Sequence, residues 1–447
     1  MRRALSRSLV LSVLSFSAVN GQRNAQASDR LQAMPGYARY TEMAPKLQSA
    51  VKSGAIQAQW ADDSRSFTYA FGGKQWRFDI ATMKATETGD AANPGGGRGG
   101  RGFAPGGGGG RGGRGNVCPV QVERGRQCPF APSPDGKLRA EYKDNNLWLG
   151  GPNGENLVQL TTDGSREKRI KYGTSSWVYG EELGQTSAMW WSPDGSKLAY
   201  YRFDETPVKD YYLQLNQTEL YDSLDVEAYP KSGTGNPLVD VFVYDVATKK
   251  STRLDVRDGR PQANETVGYY AYGVSWTADS KELLIHRANR RQNIMDYSAC
   301  DPATAKCRTV VREEWPTGWV DNSPGIRWLT DNKRFVWESE RTGFNNYYLY
   351  DLSGKQINQI TKGQFEAAGI VAIDEAANTM FYLARDGENF MKTQLHRVKL
   401  DGSGDVRLTD PAFLHTANLS PDRRYFVDVA QTHDQAPVSR LVDATNG

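Results

Sequence analysis

The chain has 447 residues, with 55 Lys and Arg against 52 Asp and Glu, a formal net charge of +3, 45 Gly and 20 Pro. That is far more than one small core needs, so several domains or one large repeat architecture is expected. Beyond the extreme N-terminus no apolar stretch approaches the roughly 20 residues of a membrane span, which points to a soluble, strand-rich protein.

The first element is a secretory signal. Arg2, Arg3 and Arg7 form a positive n-region, residues 9–19 an apolar stretch, and Ala25-Gln26-Ala27 a small-x-small cleavage site before Ser28. Residues 1–27 are therefore read as a signal peptide, with an uncleaved anchor as the alternative, and the mature chain as secreted or periplasmic. This segment holds four arginines, at 2, 3, 7 and 23, so its removal takes the net charge from +3 to about −1. Residues 93–115 (NPGGGRGGRGFAPGGGGGRGGRG) carry four more, which leaves the folded remainder near −5. The basic excess thus sits outside the folded part and does not indicate a nucleic-acid partner.

Residues 93–115 cannot bury a core and are expected to be a disordered insertion. An arginine-glycine tract can bind RNA, but no RNA-binding pattern flanks this one, and the same strand pattern lies on both sides. The four cysteines fall as two close pairs, Cys118 with Cys128 and Cys300 with Cys307. Their spacings differ from paired CxxC knuckles and the four histidines are scattered, so two local disulfides are favoured over a zinc site in an exported chain. No metal or cofactor is expected.

The remaining pattern is a repeat. An aromatic or apolar residue, Ser or Thr, Pro or a small residue, Asp and a turn residue recur ahead of β-rich runs. The beat appears at Trp60-Ala61-Asp62-Asp63, Ser133-Pro134-Asp135-Gly136, Trp191-Ser192-Pro193-Asp194-Gly195 and Trp276-Thr277-Ala278-Asp279. It continues at Trp328-Leu329-Thr330-Asp331, a degenerate Ala372-Ile373-Asp374, and Leu419-Ser420-Pro421-Asp422. Pro presets φ and Gly accepts positive φ, so each beat reads as a hairpin turn. A period of roughly 40–50 residues with about four short strands is that of a propeller blade. The expected fold is all-β, a seven- or eight-bladed β-propeller over residues 28–447.

One segment breaks the repeat: Trp177-Val178-Tyr179-Gly180-Glu181-Glu182-Leu183. Adjacent carboxylates on an ordered loop repel each other unless a cation lies between them. An adjacent Glu pair is more often a solvated turn, but the aromatic residues around this one argue for order and shelter.

The stretch SWVYGEELGQTSAMWWSPDGSKLAYYRFDETPVKDYYL resembles the double-Glu region of the dipeptidyl peptidase IV family, in the prolyl oligopeptidase clan. YPKSGTGNP at 229–237, RRQNIMDYSACD at 290–301, PTGWV at 316–320 and ITKGQFEAAGI at 360–370 match in the same order, so the resemblance spans most of residues 50–440. It implies a propeller that roofs a cavity above an α/β-hydrolase domain. It also implies that Glu181 and Glu182 bind the N-terminal ammonium of a peptide. Salt bridges at a fixed distance from the nucleophile would limit cleavage to the bond after the second residue, preferably Pro or Ala. A Cys300–Cys307 clip is implied as well. The implied partners are peptide N-termini and the hydrolase domain of a parent enzyme, and a homodimer stays open.

The sequence departs from the family at several points. Gly180 stands where better-known members have a third glutamate. Asp321-Asn322-Ser323 replaces an Arg/Phe-rich loop that lines outer subsites. The propeller arginine that holds a substrate carbonyl has candidates in Arg124 and Arg126, for which a structural role is the simpler reading. The G-x-S-x-G nucleophile elbow does not occur, so the expectation is a chain without the hydrolase domain and without catalytic residues, inactive alone. It is then either the recognition half of a dipeptidyl aminopeptidase or a stand-alone binding propeller. A purely structural propeller would have no need of Glu181-Glu182.

Overall fold

A computed structural model describes residues 30–50, 53–91, 118, 122 and 125–445. The signal peptide and the glycine-rich insertion expected from the sequence lie outside them. The chain divides into two compact units, one of residues 1–96 with 412–447, the other of residues 97–411. Among the described residues no helix is long and apolar enough to cross a membrane.

Among the described residues, seven antiparallel sheets follow one another, each centred on one beat of the repeat. In the smaller unit the first sheet comprises Gln59–Trp60, Ser66–Phe71, Lys74–Asp79 and Lys84–Asp90. The seventh comprises Leu414–Leu419, Tyr425–Gln431 and Val438–Asp443. The larger unit holds the other five. The second runs Phe130–Pro132, Arg139–Lys143, Asn146–Gly150 and Val158–Gln159. The third joins Met189–Trp191, Lys197–Asp204, Leu238–Asp245 and Lys250–Arg253, with Ile170–Tyr172 added beside Lys197–Asp204. The fourth runs Tyr270–Trp276, Leu283–Ala288, Ile294–Asp301 and Lys306–Glu314. The fifth runs Ile326–Trp328, Arg334–Ser339, Asn346–Asp351 and Gln356–Gln359, and the sixth Ala367–Asp374, Thr379–Ala384, Gln394–Lys399 and Val406–Arg407. A two-stranded hairpin, Asp210–Leu215 with Ser223–Ala228, interrupts the third.

The beat is the turn between the first and second strand of every sheet. The residue after Asp takes positive φ whether or not it is glycine: Gly136 and Gly195, but also Ser64, Ser280, Asn332 and Arg423, with Asn378 serving the degenerate sixth beat. Each such residue donates its backbone N–H to the carbonyl three residues back, closing the turn. The Ser or Thr hydroxyl donates to the Asp carboxylate at 2.6–2.7 Å and accepts the N–H that opens the next strand, as Ser192 does with Asp194 and Lys197. Burial opposes the Asp194 charge, but the bonds from Ser192 and Ser196 outweigh it and pull its pKa down to about 2.

The beat also ties sheets together. The Trp191 indole N–H donates to the Ala131 carbonyl in the preceding sheet, and the Trp276 indole donates to Trp190 in the same way. Within the smaller unit, Trp60 of the first sheet makes the equivalent bond to Asn418 of the seventh. Ser280 accepts the Asp194 N–H across sheets, and Ser64 accepts that of Asp422. At the outer edge of the seventh sheet, Gly54 bridges to Val438 in parallel and its N–H donates to the Pro437 carbonyl.

Both faces of the central strands are buried, which explains why KLAYYRF carries no polar alternation. Leu198 and Tyr200 pack toward the second sheet with Ala131, Ala140 and Leu147, while Ala199, Tyr201 and Phe203 pack toward the fourth with Ala271 and Ile285. The fifth sheet divides likewise, Val336 and Leu349 toward the sixth, Phe335 and Trp337 toward the fourth. Full burial of such side chains stabilises by about 1.5–3 kcal/mol each.

All four cysteines are paired. Cys300 and Cys307 face each other in register in the fourth sheet, with Cα atoms 3.9 Å apart. Cys118–Cys128 has a Cα separation of 5.5 Å.

Candidate functional site

The segment expected as a loop is a single helical turn, α1, Trp177–Glu181, with Ser176 extended at its start and Glu182 at its C-cap. Glu181 and Glu182 therefore stand at the carbonyl end of the turn, where the helix presents partial negative charge. Two like charges on that end favour a cation beside them. Glu181 is half-buried and Glu182 exposed.

Tyr179 anchors the turn. It is wholly buried, meets Phe203 edge-on at 4.7 Å and Tyr201 at 5.9 Å, and its hydroxyl accepts the Ala271 N–H at 3.3 Å. Burial pushes its pKa far above the usual phenol range, so it acts as a fixed neutral strut. Gln185 completes the support, accepting the Gly273 N–H at 3.0 Å where the fourth sheet bulges.

Gly180 has a packing reason that the sequence did not disclose. A Cβ there would overlap the Gly125 carbonyl, and one on Gly125, itself at φ +77°, would press on Trp177 and Glu181. The two glycines let residues 125–128 lie across the turn. Gln127 fastens them, accepting from Ser175 N–H at 3.1 Å and donating to the Gln185 carbonyl at 3.0 Å, while Cys128 N–H donates to Thr186. The signal available in the sequence was this glycine pair beside a disulfide cysteine.

Loop residues from four of the segments that carry the resemblance are tied into a rim in the larger unit. Trp177 packs on Tyr229 of the YPK motif at 5.1 Å. Asn236 of the same motif donates to Tyr270 at 2.6 Å, and Tyr270 is near enough to Glu182 to feel its charge. Arg290 donates to the Thr234 carbonyl and to the Tyr269 hydroxyl. Next to it, Gln292 accepts Val320 N–H through its carbonyl and Asn322 through its side chain, which joins the PTGWV segment. Glu366, from the ITKGQFE segment, accepts Asn345 N–H at 3.0 Å.

Of the two candidate arginines, Arg124 lies outside the described residues. Arg126 is bound to Asp225 and Glu227 on the hairpin, and Arg169 holds Asp210 at 2.7 Å, so these cations fasten the base of that hairpin. Asp296, in the RRQNIMDY segment, is wholly buried between Arg287 and Arg312 and serves the fold. Among the described residues no group of three or more His, Cys, Asp or Glu could hold a metal ion.

The sequence profile of the dipeptidyl peptidase IV N-terminal region matches residues 115–437. The chain belongs to that family. A probable dipeptidyl peptidase 4 from Aspergillus flavus is 29% identical over 310 residues, 66% of this chain and 39% of that protein. A probable dipeptidyl-aminopeptidase B from Tuber melanosporum is 28% identical over 329 residues, 67% of this chain and 34% of that one. The chain thus spans between a third and two fifths of these curated relatives. Among solved structures, Porphyromonas gingivalis dipeptidyl peptidase 4 aligns with a TM-score of 0.58 at 20% identity, covering 90% of this chain and 60% of that one. A dipeptidyl aminopeptidase IV homologue from Bacteroides ovatus aligns at 0.52 with 21% identity, covering 86% and 50%. These likenesses bear on the fold, which is all-β and of propeller type.

Proposed function

We propose that this chain is the substrate-recognition part of a secreted dipeptidyl aminopeptidase, a serine-type peptidase that releases X-Pro or X-Ala dipeptides. Glu181 and Glu182 bind the peptide's N-terminal ammonium, and the acyl-transfer chemistry belongs to an α/β-hydrolase domain outside these residues. The observation that carries this reading is the pair of carboxylates at the carbonyl end of a turn braced from beneath by Tyr179 and from the side by Gly125–Cys128. An ammonium has three donors and suits two acidic acceptors. Such charge-assisted bonds contribute about 1.5–3 kcal/mol each. An acetylated terminus loses the charge, so the site selects unblocked peptides, and the rigid turn fixes where the chain enters.

The test uses a protein in which this chain is joined to its hydrolase domain. Glu181→Ala or Glu182→Ala is expected to lower kcat/KM for a Gly-Pro-anilide by about 100-fold, since the ammonium contacts hold the substrate through the transition state. Near-normal activity in both variants refutes the assignment.

A further inference from the structure

Among the residues that brace the double-Glu turn, Gln185 is bonded through every polar group it has. It follows Glu182 closely, past Leu183 and Gly184, and is half-buried. Its backbone N–H donates to the Tyr179 carbonyl in α1 at 2.9 Å, and its backbone carbonyl accepts from the Gln127 side chain at 3.0 Å. Its side-chain amide donates to the Leu183 carbonyl at 2.8 Å. Its side-chain carbonyl accepts the Gly273 N–H at 3.0 Å and, at the longer distance of 3.4 Å, the Tyr201 hydroxyl. One side chain thus joins the loop that carries Glu182 to the fourth sheet.

The need for such a tie follows from the charges. Two carboxylates and the carbonyls that end α1 repel one another, which pushes residues 182–184 away from the turn. Packing opposes this weakly, since Glu182 is exposed and nothing lies within 4 Å of where a Cβ on Gly184 would stand. Tyr179 holds the buried face of the turn, and Gln185 holds its acidic end. The far anchor is rigid. Gly273 sits at φ +61° where Tyr270–Trp276 bulges against Leu283–Ala288, and a Cβ there would collide with the His286 ring.

The chemistry of the tie is particular. A side-chain amide donates and accepts at once and carries no charge. A lysine or arginine in its place could donate to Leu183, but its charge would compete for the two glutamates. A glutamate could accept from Gly273, but it would face the Leu183 carbonyl with no donor. An amide fixes the loop and leaves the negative charge of the pair to a ligand.

We propose that Gln185 is a positioning residue of the recognition site: it sets where Glu182 stands against the fourth sheet, and through that the preference for a free peptide amine. It acts through residues 182–184 and not on the ligand. The inference rests on the reading given under Proposed function, that Glu181 and Glu182 bind the ammonium.

The test compares the parent chain with Gln185→Met, which keeps the length and loses both side-chain bonds, and with Gln185→Glu, which keeps only the acceptor. Calorimetric titration with Gly-Pro-Gly amide, free or acetylated at its N-terminus, gives the free-amine preference of each protein. Both substitutions are expected to cut that preference about fivefold, the factor for one neutral hydrogen bond, while the acetylated peptide binds as before. Gln185→Glu decides the sign, because added negative charge alone would strengthen amine binding. A preference at or above the parent's in Gln185→Glu, or an unchanged one in Gln185→Met, overturns the proposal. Thr161→Val separates positioning from fold stability, since it removes a bond to Asn146 in the second sheet. It should lower the urea midpoint and keep the preference; if it loses the preference as Gln185→Met does, the proposal falls. Amide hydrogen exchange at Glu182 covers a parent that binds both peptides alike. The ammonium reading then fails, while faster exchange in Gln185→Met upholds the tie and unchanged exchange removes that as well.

Discussion

His286 is buried, stacked on Tyr272 at 5.5 Å and tilted against Tyr297 at 4.9 Å, and neither ring nitrogen has a hydrogen-bond partner among the described residues. Burial disfavours the charged ring and lowers its pKa to about 4, against a small opposing pull from the Gly273 backbone. Because the folded value is depressed, protons favour the unfolded chain. The contribution is complete above roughly pH 6.5 and is lost as pH falls toward 4, amounting to about 3 kcal/mol. Urea unfolding at pH 7 and pH 4.5 should show this loss in the parent and a shallower one in His286→Leu; equal slopes would exclude His286 as the source. At the double-Glu turn, Gly180→Ala should destabilise by about 1–3 kcal/mol, measurable as a lowered urea midpoint, because the added carbon meets the Gly125 carbonyl. The Glu pair was legible from its aromatic frame and the motif around it. The need for Gly180 was not, because it depends on a backbone approach from a distant part of the chain.

At the level of the elements, the repeat was legible because its turn chemistry is local. All seven beats sit where a hairpin turn was expected, and a β-strand follows each. Two features escaped. One is the hairpin Asp210–Leu215 with Ser223–Ala228, whose exposed Tyr212 and Leu224 carry no amphipathic cue. The other is a tie in the second and fifth sheets, in which Thr161 and Thr361 donate to the side chains of Asn146 and Asn346 across a strand pair. The double-Glu loop became a helical turn because Tyr179 is drawn into the aromatic cluster beneath it. The indole ties make a direct prediction. Trp276→Phe keeps an aromatic ring but removes the bond to the Trp190 carbonyl, and should cost about 1 kcal/mol in chemical unfolding. Replacing both Cys300 and Cys307 by Ala should cost about 2 kcal/mol, since the bridge closes a short loop. A change in either variant below a few tenths of a kcal/mol would show that neighbouring strands alone set the register.

In the larger unit, the central strands of the third and fifth sheets bury large apolar residues on both faces, while loop residues of the double-Glu, YPK, RRQN and PTGWV segments are tied into a rim. Packing needs account for the first and leave the second unexplained, which is why the rim reads as a recognition surface. On that rim Glu181 and Glu182 are proposed to recognise a free peptide amine. The most direct measurement is calorimetric binding of one proline-second peptide, free or acetylated at its N-terminus, to the parent chain and to Glu181→Gln and Glu182→Gln. The free amine should improve binding to the parent by about tenfold or more, and each substitution should remove most of that gain. A parent that binds both peptides alike, or variants that keep the full preference, would contradict it.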